Sequence, residues 1–258
     1  MSYEYEMLCG VHSVLESIRA ARRKFSRIYI SKERNLSRLN EILELAQSNK
    51  IEIDFVSADH LDEMSKGVKH QGIIAKATPF PTNKAETELK KNITTEISNA
   101  GQEDVSNKFI VVLEGIEDPN NLGAIIRTAL CAGVDHIVIP KDRAAQPSPA
   151  VSRASAGAME HADIWNVTNT ASFLKTLKKN GVWIAGLDAQ GETPLFKADL
   201  TGNIVLVVGG EHQGIRPLVK KECDFLLSLP LAQGITSLNA SVACGIAMYE
   251  VVRQRMVN

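Results

Sequence analysis

Four short apolar runs dominate the second half of the chain. They read F-I-V-V-L-E (109–114), D-H-I-V-I-P (135–140), W-I-A-G-L-D (183–188) and N-I-V-L-V-V (203–208). Strands that are buried on both faces have this near-continuous hydrophobicity, and helical segments fall between the runs at the spacing of βαβ units. The pattern predicts a parallel sheet with helices on both faces over residues 108–258.

The first 78 residues show a different alternation of helical and strand patterns. Helical periodicity marks residues 12–21, 36–46 and 59–64, the last with Asp59 as the expected N-cap, and strand patterns mark 25–30, 51–56 and 72–77. This order predicts a small α/β domain over residues 1–78.

A polar, proline-initiated stretch separates the two halves and predicts a linker over residues 79–107. Within it Ala85, Leu89, Ile93 and Ile97 recur every four residues, which would place one thin apolar stripe on a helix. Neighbouring threonines and asparagines weaken that helix. The pattern leaves two alternatives open, a short docked helix and disorder.

Composition is that of an ordinary globular protein, with 44% apolar and 23% charged residues. The net charge of −1 means that any binding to a polyanion must come from local patches. The four cysteines are scattered without a C-x-x-C pair, and three of them lie in apolar runs, which favours reduced, buried thiols. No signal-peptide pattern and no membrane-spanning run are present, so we expect an intracellular, cytoplasmic protein that binds no membrane.

Three strand-to-helix junctions carry polar or glycine-rich loops. They lie at residues 111–128, at 204–218 and after the short apolar strand near Leu229. Such junctions hold ligands in α/β proteins, because free backbone donors and a helix N-terminus meet there. Three of them in one domain predict one composite site. G-x-G-x-x-G after the first strand and G-K-[ST] are both absent, so dinucleotide and P-loop functions lose their main support.

Each junction contains a candidate functional residue that also has an ordinary structural explanation. Arg127, in the middle of a predicted helix, needs solvent, a carboxylate or a phosphate as its partner. Glu211 follows two glycines and either accepts a hydrogen bond from a hydroxyl or amine or caps the next helix. Ser237 and Asn239 precede an apolar helix, where either could simply be the N-cap.

The three junctions resemble the ordered motifs of the SpoU/TrmH family of RNA ribose 2′-O-methyltransferases, in the SPOUT superfamily. The matching strings are D-P-N-N-L-G-A-I-I-R-T-A (118–129), V-G-G-E-H-Q-G-I-R (208–216) and L-P-L-A-Q-G-I-T-S-L-N-A-S-V-A (229–243). V-S-R-A-S-A-G-A-M-E-H (151–161) is similar to the family as well. G-V-H-S-V (10–14) and K-H-Q-G-I-I-A (69–75) resemble the L30e-like RNA-binding module that is often fused in front.

The resemblance implies a C-terminal parallel-sheet SPOUT domain with a trefoil knot, a homodimer formed through that domain, and no metal. It also implies S-adenosylmethionine as the cofactor, bound at Gly209, Leu229 and Leu238. The family's functional positions fall on Asn121, Arg127, Glu211, Ser237 and Asn239. Two departures, His212-Gln213 after Glu211 and Ser148 before Val151, bear on substrate fit.

The implied reaction is methyl transfer from a sulfonium to a ribose hydroxyl, for which alignment and activation of the hydroxyl are the main needs. Arginine is effectively always protonated. We therefore expect Arg127 to orient the neighbouring phosphate and polarise the hydroxyl, with the proton accepted elsewhere.

A cluster of basic residues in the first domain is the expected contact for RNA phosphates. It comprises Arg22, Arg23, Lys24 and Arg27 at one helix-to-strand junction, where a solvated helix end is the alternative. A ribose is most accessible in a loop or bulge of a structured RNA. With an L30e-like module in front, the resemblance implies large-subunit ribosomal RNA as the substrate, with a guanosine ribose as the first choice. Transfer RNA and a non-catalytic RNA-binding role are the alternatives.

Overall fold

The computed structural model describes residues 4–82, 86–99, 107–211, 213–232, 234 and 236–257. The chain divides into two compact units. The first joins Met1–Pro81 to the distant segment Pro147–His161, and the second joins Thr82–Gln146 to Ala162–Asn258. The predicted boundary at residue 108 placed 147–161 with the second half, and the structure packs this segment on the N-terminal part.

The first unit is built on a four-stranded sheet. Its strands are β1 (Glu6–Cys9), β2 (Phe25–Ser31), β3 (Ile53–Val56) and β4 (Ile73–Ala77), in the spatial order β1-β4-β2-β3. Strand β4 is antiparallel to β1 and β2, whereas β2 and β3 run parallel. Strand β1 was not predicted, because its residues E-M-L-C do not alternate between polar and apolar positions.

Helices cover both faces of this sheet. They are α1 (Val11–Ala20), α2 (Asn40–Ser48) and α3 (Ala58–Ser65). Val14, Ile18 and Ile42 of α1 and α2 pack on one face, and Leu61 of α3 packs on the other. The predicted small α/β architecture is therefore present.

Two details of these helices differ from the prediction. Residues 36–46 do not form one helix: a 3-10 turn over Leu36–Arg38 comes first, and Leu39 leaves the helical region before α2 begins. The N-cap of α3 is Ser57, whose hydroxyl accepts from the His60 amide, and not Asp59. Asp59 lies inside the first turn, where its charge complements the helix dipole.

A buried ion pair fixes the segment 147–161 in the first unit. This segment contains α6 (Pro149–Ala154) and a 3-10 turn that holds Glu160. Arg23 Nε and Nη2 donate to the two carboxylate oxygens of Glu160 at 2.8 and 3.1 Å, and Nη1 donates to Glu6 Oε2 at 2.9 Å. The Arg23 and Glu160 side chains are both completely buried. Arg23 therefore does not lie on an exposed RNA-binding surface, and that prediction is corrected.

The second unit contains a seven-stranded sheet in which every pairing is parallel. Its spatial order is β7-β6-β5-β10-β8-β11-β9. In chain order the strands are β5 (Phe109–Glu114), β6 (His136–Pro140), β7 (Ile164–Val167), β8 (Trp183–Leu187), β9 (Thr193–Pro194), β10 (Ile204–Gly209) and β11 (Phe225–Ser228). The four apolar runs of the sequence are β5, β6, β8 and β10, so the predicted parallel sheet is confirmed.

Among the described residues of this unit, five helices flank the sheet. They are α4 (Glu86–Asn99), α5 (Pro119–Cys131), α7 (Thr170–Lys179), α8 (Pro217–Lys220) and α9 (Ala240–Val257). Helix α4 belongs to the predicted linker, and its Leu89 and Ile93 are fully buried in the core of the second unit. Of the two alternatives for this stretch, the docked helix is the one observed. Ala85 and residues 100–106 lie outside the described residues.

Strand register brings the candidate loops to one edge of the sheet. Strand β10 pairs with β5 along its whole length, so that Gly209 lies opposite Glu114 at the carboxyl ends of the two strands. Strand β8 pairs with β10 and with β11. The loops that follow β5 and β10 therefore leave the sheet side by side, and the loop after β11 leaves the same edge one strand further along, beyond β8. In the described parts of the chain, no helix is long and apolar enough to span a membrane.

The buried pair gives a direct test of how the first unit is held together. We expect Arg23→Ala to lower the free energy of unfolding by about 3 kcal/mol, because it leaves the Glu160 carboxylate buried without its partner. Urea denaturation of the full chain would measure this, with Lys32→Ala, at an exposed position, as the control. Equal stabilities for the two variants would contradict the assignment.

Candidate active site

The site begins at the loop between β5 and α5. Asp118 is the N-cap of α5, and its carboxylate accepts from the Asn120 amide at 3.0 Å, while Pro119 occupies the first helical turn. Asn121 follows in that first turn. The cap therefore fixes the start of the helix and with it the direction of the Asn121 side chain.

A chain of side-chain hydrogen bonds connects the three junctions. Asn121 Nδ2 donates to Glu211 Oε1, and Asn239 Nδ2 donates to Asn121 Oδ1 at 3.1 Å. Asn239 Oδ1 in turn accepts from the Ser241 amide at 2.9 Å, at the start of α9. The side-chain amides of Asn121 and Asn239 each donate one hydrogen bond and accept another. The series of hydrogen bonds therefore runs in one direction and ends on the Glu211 carboxylate.

Two glycines let the loop after β10 pass close to the end of β5 and fold back on itself. A Cβ atom at Gly210 would lie 2.0 Å from the carbonyl oxygen of Gly115, and one at Gly209 would lie 2.1 Å from the carbonyl carbon of Gly214. No side chain fits at either position. The Gly210 amide also donates to the Glu114 carbonyl at 2.9 Å, so the loop after β10 is attached to the end of β5.

A cavity of about 480 Å³ opens beside this loop, and we call it the first cavity. Its wall includes the three residues predicted to hold a cofactor, Gly209, Leu229 and Leu238. Among the other predicted site residues, Glu211, Ser237 and Asn239 also line it.

Asp188 lines the first cavity too, although the sequence analysis did not single it out. Its carboxylate accepts from Lys220 Nζ at 2.7 Å and from the Gln190 amide at 2.8 Å. The hydrogen bond from Lys220 lowers the pKa of Asp188, so the group is a carboxylate at neutral pH. The available signal was its position directly after the apolar run of β8, at the same edge of a parallel sheet.

Among the predicted catalytic residues, Arg127 is the one that neither lines the first cavity nor joins the chain of hydrogen bonds. It follows Asn121 by six residues on α5, so the two side chains point about 120° apart around the helix axis. The side chain is exposed, and it makes no hydrogen bond or ion pair within the described ranges. In a single chain the structure therefore brings together Asn121, Glu211, Ser237 and Asn239, but not Arg127.

The basic cluster of the first unit is largely engaged with other groups. Arg27 pairs with Asp54 at 2.7 Å and with Glu52, and the hydrogen bond to Asp54 is the main reason why the pKa of Arg27 is raised. The Arg22 guanidinium lies 4.8 Å from the centre of the Phe80 ring. With Arg23 buried, Lys24 is the member that is clearly exposed.

Thiol and metal chemistry receive no support from the geometry. Burial raises the pKa of the Cys244 thiol to about 12 and that of Cys223 to about 11, so neither is a thiolate nucleophile at neutral pH. Within the parts of the chain that the structure describes, no three His, Cys, Asp or Glu side chains are arranged to hold a metal ion.

Family models match both parts of the chain. The SpoU rRNA Methylase family matches residues 108–249, and a family described as RNA 2′-O ribose methyltransferase substrate binding matches residues 7–82. The chain belongs to the SpoU family. The second of these models covers the small α/β domain of this SpoU protein, where the sequence pieces around residues 10–14 and 69–75 carried the resemblance.

Curated relatives extend over the full length of the SpoU chain. It is 36% identical to the 23S rRNA (guanosine-2′-O-)-methyltransferase RlmB of Escherichia coli K12, over 97% of this chain and 99% of that protein. It is also 36% identical to the putative TrmH family tRNA/rRNA methyltransferase YacO of Bacillus subtilis 168, over 99% of this chain and 98% of that protein.

A solved structure shares the fold of this SpoU protein. The SpoU methyltransferase AviRb of Streptomyces viridochromogenes, in complex with the cofactor AdoMet, superimposes with a TM-score of 0.77 over 98% of this chain and 92% of that chain. The identity is 19%, so this likeness concerns the fold.

Proposed function

We propose that this SpoU protein transfers a methyl group from S-adenosylmethionine to the ribose 2′-hydroxyl of a guanosine in large-subunit ribosomal RNA. The substrate is proposed from the full-length relative of Escherichia coli, whose name specifies a guanosine 2′-O-methyltransferase of 23S rRNA. The observation that carries the chemistry is the hydrogen-bonded chain from Asn239 through Asn121 to Glu211, which lies at the edge of the first cavity.

The first cavity suits the proposed cofactor in size and in wall chemistry. Pockets for small-molecule ligands enclose about 300–1,000 Å³ and combine apolar walls with a few polar groups. Leu229 and Leu238 supply apolar surface for an adenine ring, and the backbone at Gly209 allows close approach. When bound, S-adenosylmethionine supplies a methyl group on a sulfonium, which is already activated for transfer.

The protein's own task is then to align the ribose and to favour loss of the hydroxyl proton. Glu211 accepts from Asn121, and its carboxylate keeps acceptor capacity for a hydroxyl donor. Asn121 and Asn239 hold that carboxylate in one orientation. Ser237 lies in the same wall and offers a further hydrogen bond to the cofactor or ribose. Proximity and orientation supply much of the rate enhancement in reactions of this kind.

Arg127 is proposed to act on the RNA from the exposed side of α5. Its guanidinium carries a permanent charge, so it suits the phosphate next to the target ribose and does not suit the role of proton acceptor. Because it lies outside the first cavity of its own chain, we propose that it serves a site completed by a second copy of the protein.

An exposed apolar stripe on α9 supports the proposed homodimer. Val242, Ile246 and Tyr249 follow each other at helical spacing and are 50%, 37% and 50% exposed. Cys244, Ala247, Met248 and Val251 of the same helix are buried. An apolar stripe of this kind marks an interaction site, and a two-fold axis would pair the stripe with itself.

The substrate-binding domain and the knot remain proposals. The family match over residues 7–82 supports RNA binding by the first unit, with Lys24 and Arg22 as candidate phosphate contacts. The SpoU fold supports a trefoil knot in the second unit. A ribosomal RNA substrate would place the protein in the cytoplasm.

Transfer RNA is the second candidate substrate, because the Bacillus subtilis relative is named as a putative tRNA/rRNA methyltransferase. Methylation assays with each RNA separately would distinguish the two substrates. The non-catalytic alternative fails if S-adenosylmethionine binds and labelled methyl groups appear in either RNA.

Removal of the Arg127 guanidinium tests its proposed role. We expect Arg127→Ala to lower the single-turnover methylation rate of saturating RNA about 100-fold, a loss typical of one missing charge-stabilising donor. The dissociation constant for S-adenosylmethionine, measured by calorimetry, should stay unchanged. Arg127→Lys keeps the charge but not the planar fork, and it should recover part of the rate. If Arg127→Ala weakens RNA binding but methylates bound RNA at the normal rate, the catalytic role is wrong.

A charge in the α9 stripe tests the homodimer. We expect Ile246→Glu to produce monomers in sedimentation velocity experiments, because the stripe can no longer pair with its symmetry copy. Leu218→Glu makes the same change at a leucine that is 70% exposed on α8, and this variant should remain dimeric. A native protein that sediments as a monomer at micromolar concentration would overturn the proposed dimer.

A further inference from the structure

A second cavity lies on the other side of the Glu211 loop. It encloses about 810 Å³ and shares Gly210, Glu211 and Gly214 with the first cavity. Asn121 lines the second cavity as well. A ribose that is held at Asn121 and Glu211 for reaction with a cofactor in the first cavity therefore lies next to the second cavity, within reach of its walls.

Glu114 lines the second cavity with a carboxylate whose hydrogen bonding is incomplete. The residue is 1% exposed at the end of β5, and its Oε1 accepts from Arg216 Nε. Its other oxygen, Oε2, is buried and has no hydrogen-bond partner in the described chain. A buried charged oxygen without a partner is costly, so its retention needs a reason, and an absent ligand donor is one.

The charges around Glu114 select the kind of ligand. Glu117, Asp118 and Glu211 also line the second cavity, against the cations of Arg143 and Arg216. This acidic surround disfavours a phosphate and favours a group that donates hydrogen bonds.

Among the RNA bases, guanine presents the edge that a carboxylate accepts best. Its N1–H and N2–H₂ groups are adjacent donors. Cytosine and adenine each place a ring acceptor next to their single amine, and uracil places two carbonyls around its one N–H. Carboxylates read base amines by accepting from them, so a free carboxylate oxygen discriminates in favour of a donor edge.

We infer that the second cavity receives the guanine of the target nucleotide and that Glu114 determines base specificity by accepting, through Oε2, from the N2 amine of the Watson–Crick edge. Arg216 holds the carboxylate in place through Oε1 and leaves Oε2 for the base. This inference rests on the proposed 2′-O-methylation of guanosine, and it adds the residue that recognises the base.

The test combines a protein change with a base change. Single-turnover methylation is measured for the native protein and for Glu114→Gln, with RNA that carries guanosine or inosine at the target position. Inosine lacks only the N2 amine. We expect the native protein to methylate the inosine RNA about tenfold more slowly, which corresponds to one lost base contact. Glu114→Gln should methylate guanosine RNA at least about tenfold more slowly and no longer distinguish it from inosine RNA.

Controls separate a local effect from loss of structure. Glu192→Gln makes the same charge change at an exposed position outside both cavities and should behave like the native protein. Calorimetry with S-adenosylmethionine checks that Glu114→Gln still folds, and the inosine comparison needs no variant at all. Independent, multiplicative effects of the two changes would overturn the role of Glu114. Failure of the native protein to methylate guanosine in any RNA would instead overturn the proposed function.

Discussion

The close backbone contact between the ends of β5 and β10 is the constraint on which the site depends. Because Gly209 and Gly210 have no side chains, the loop after β10 lies against Gly115 and folds back on its own Gly214 at distances that no Cβ atom would permit. Parallel register brings these strand ends together. The loop then has one path, which places Glu211 next to Asn121 and separates the two cavities. Apolar burial stabilises the sheet, but this contact decides where its polar groups meet.

The polar groups at this edge divide into two sets with different partners. One oxygen of Glu211 accepts a hydrogen bond from Asn121, and Asn121 in turn accepts one from Asn239. One oxygen of Glu114 accepts a hydrogen bond from Arg216, and the other has no hydrogen-bond partner among the described residues. In the proposed function, the first set faces the ribose and cofactor and the second faces the base. One nucleotide would thus be held at two carboxylates on opposite sides of a single loop.

The sequence predicted the parts of the fold that depend on local pattern. Long apolar runs such as β5 and β10 were recognisable because burial on both faces leaves almost no polar position in them, with Glu114 at the end of β5 as the exception. The convergence of three junctions followed from parallel topology. Strand β1 was missed because its residues E-M-L-C do not alternate between polar and apolar positions. Arg23 was misassigned because its burial depends on Glu160, which lies 137 residues away and leaves no local signal. Glu114 was not singled out, since a carboxylate at a strand end shows its half-filled hydrogen bonding only in three dimensions.

The central claim is that these loops form a site for 2′-O-methylation of guanosine in ribosomal RNA. The most direct measurement uses the purified protein, S-adenosylmethionine with an isotopically labelled methyl group, and unmodified 23S rRNA, both free and in assembled subunits. Mass spectrometry of the digested nucleosides then shows which one carries the label. The account predicts label in 2′-O-methylguanosine alone, at one site per RNA. Label on a base, on another ribose, or on no nucleoside would contradict it.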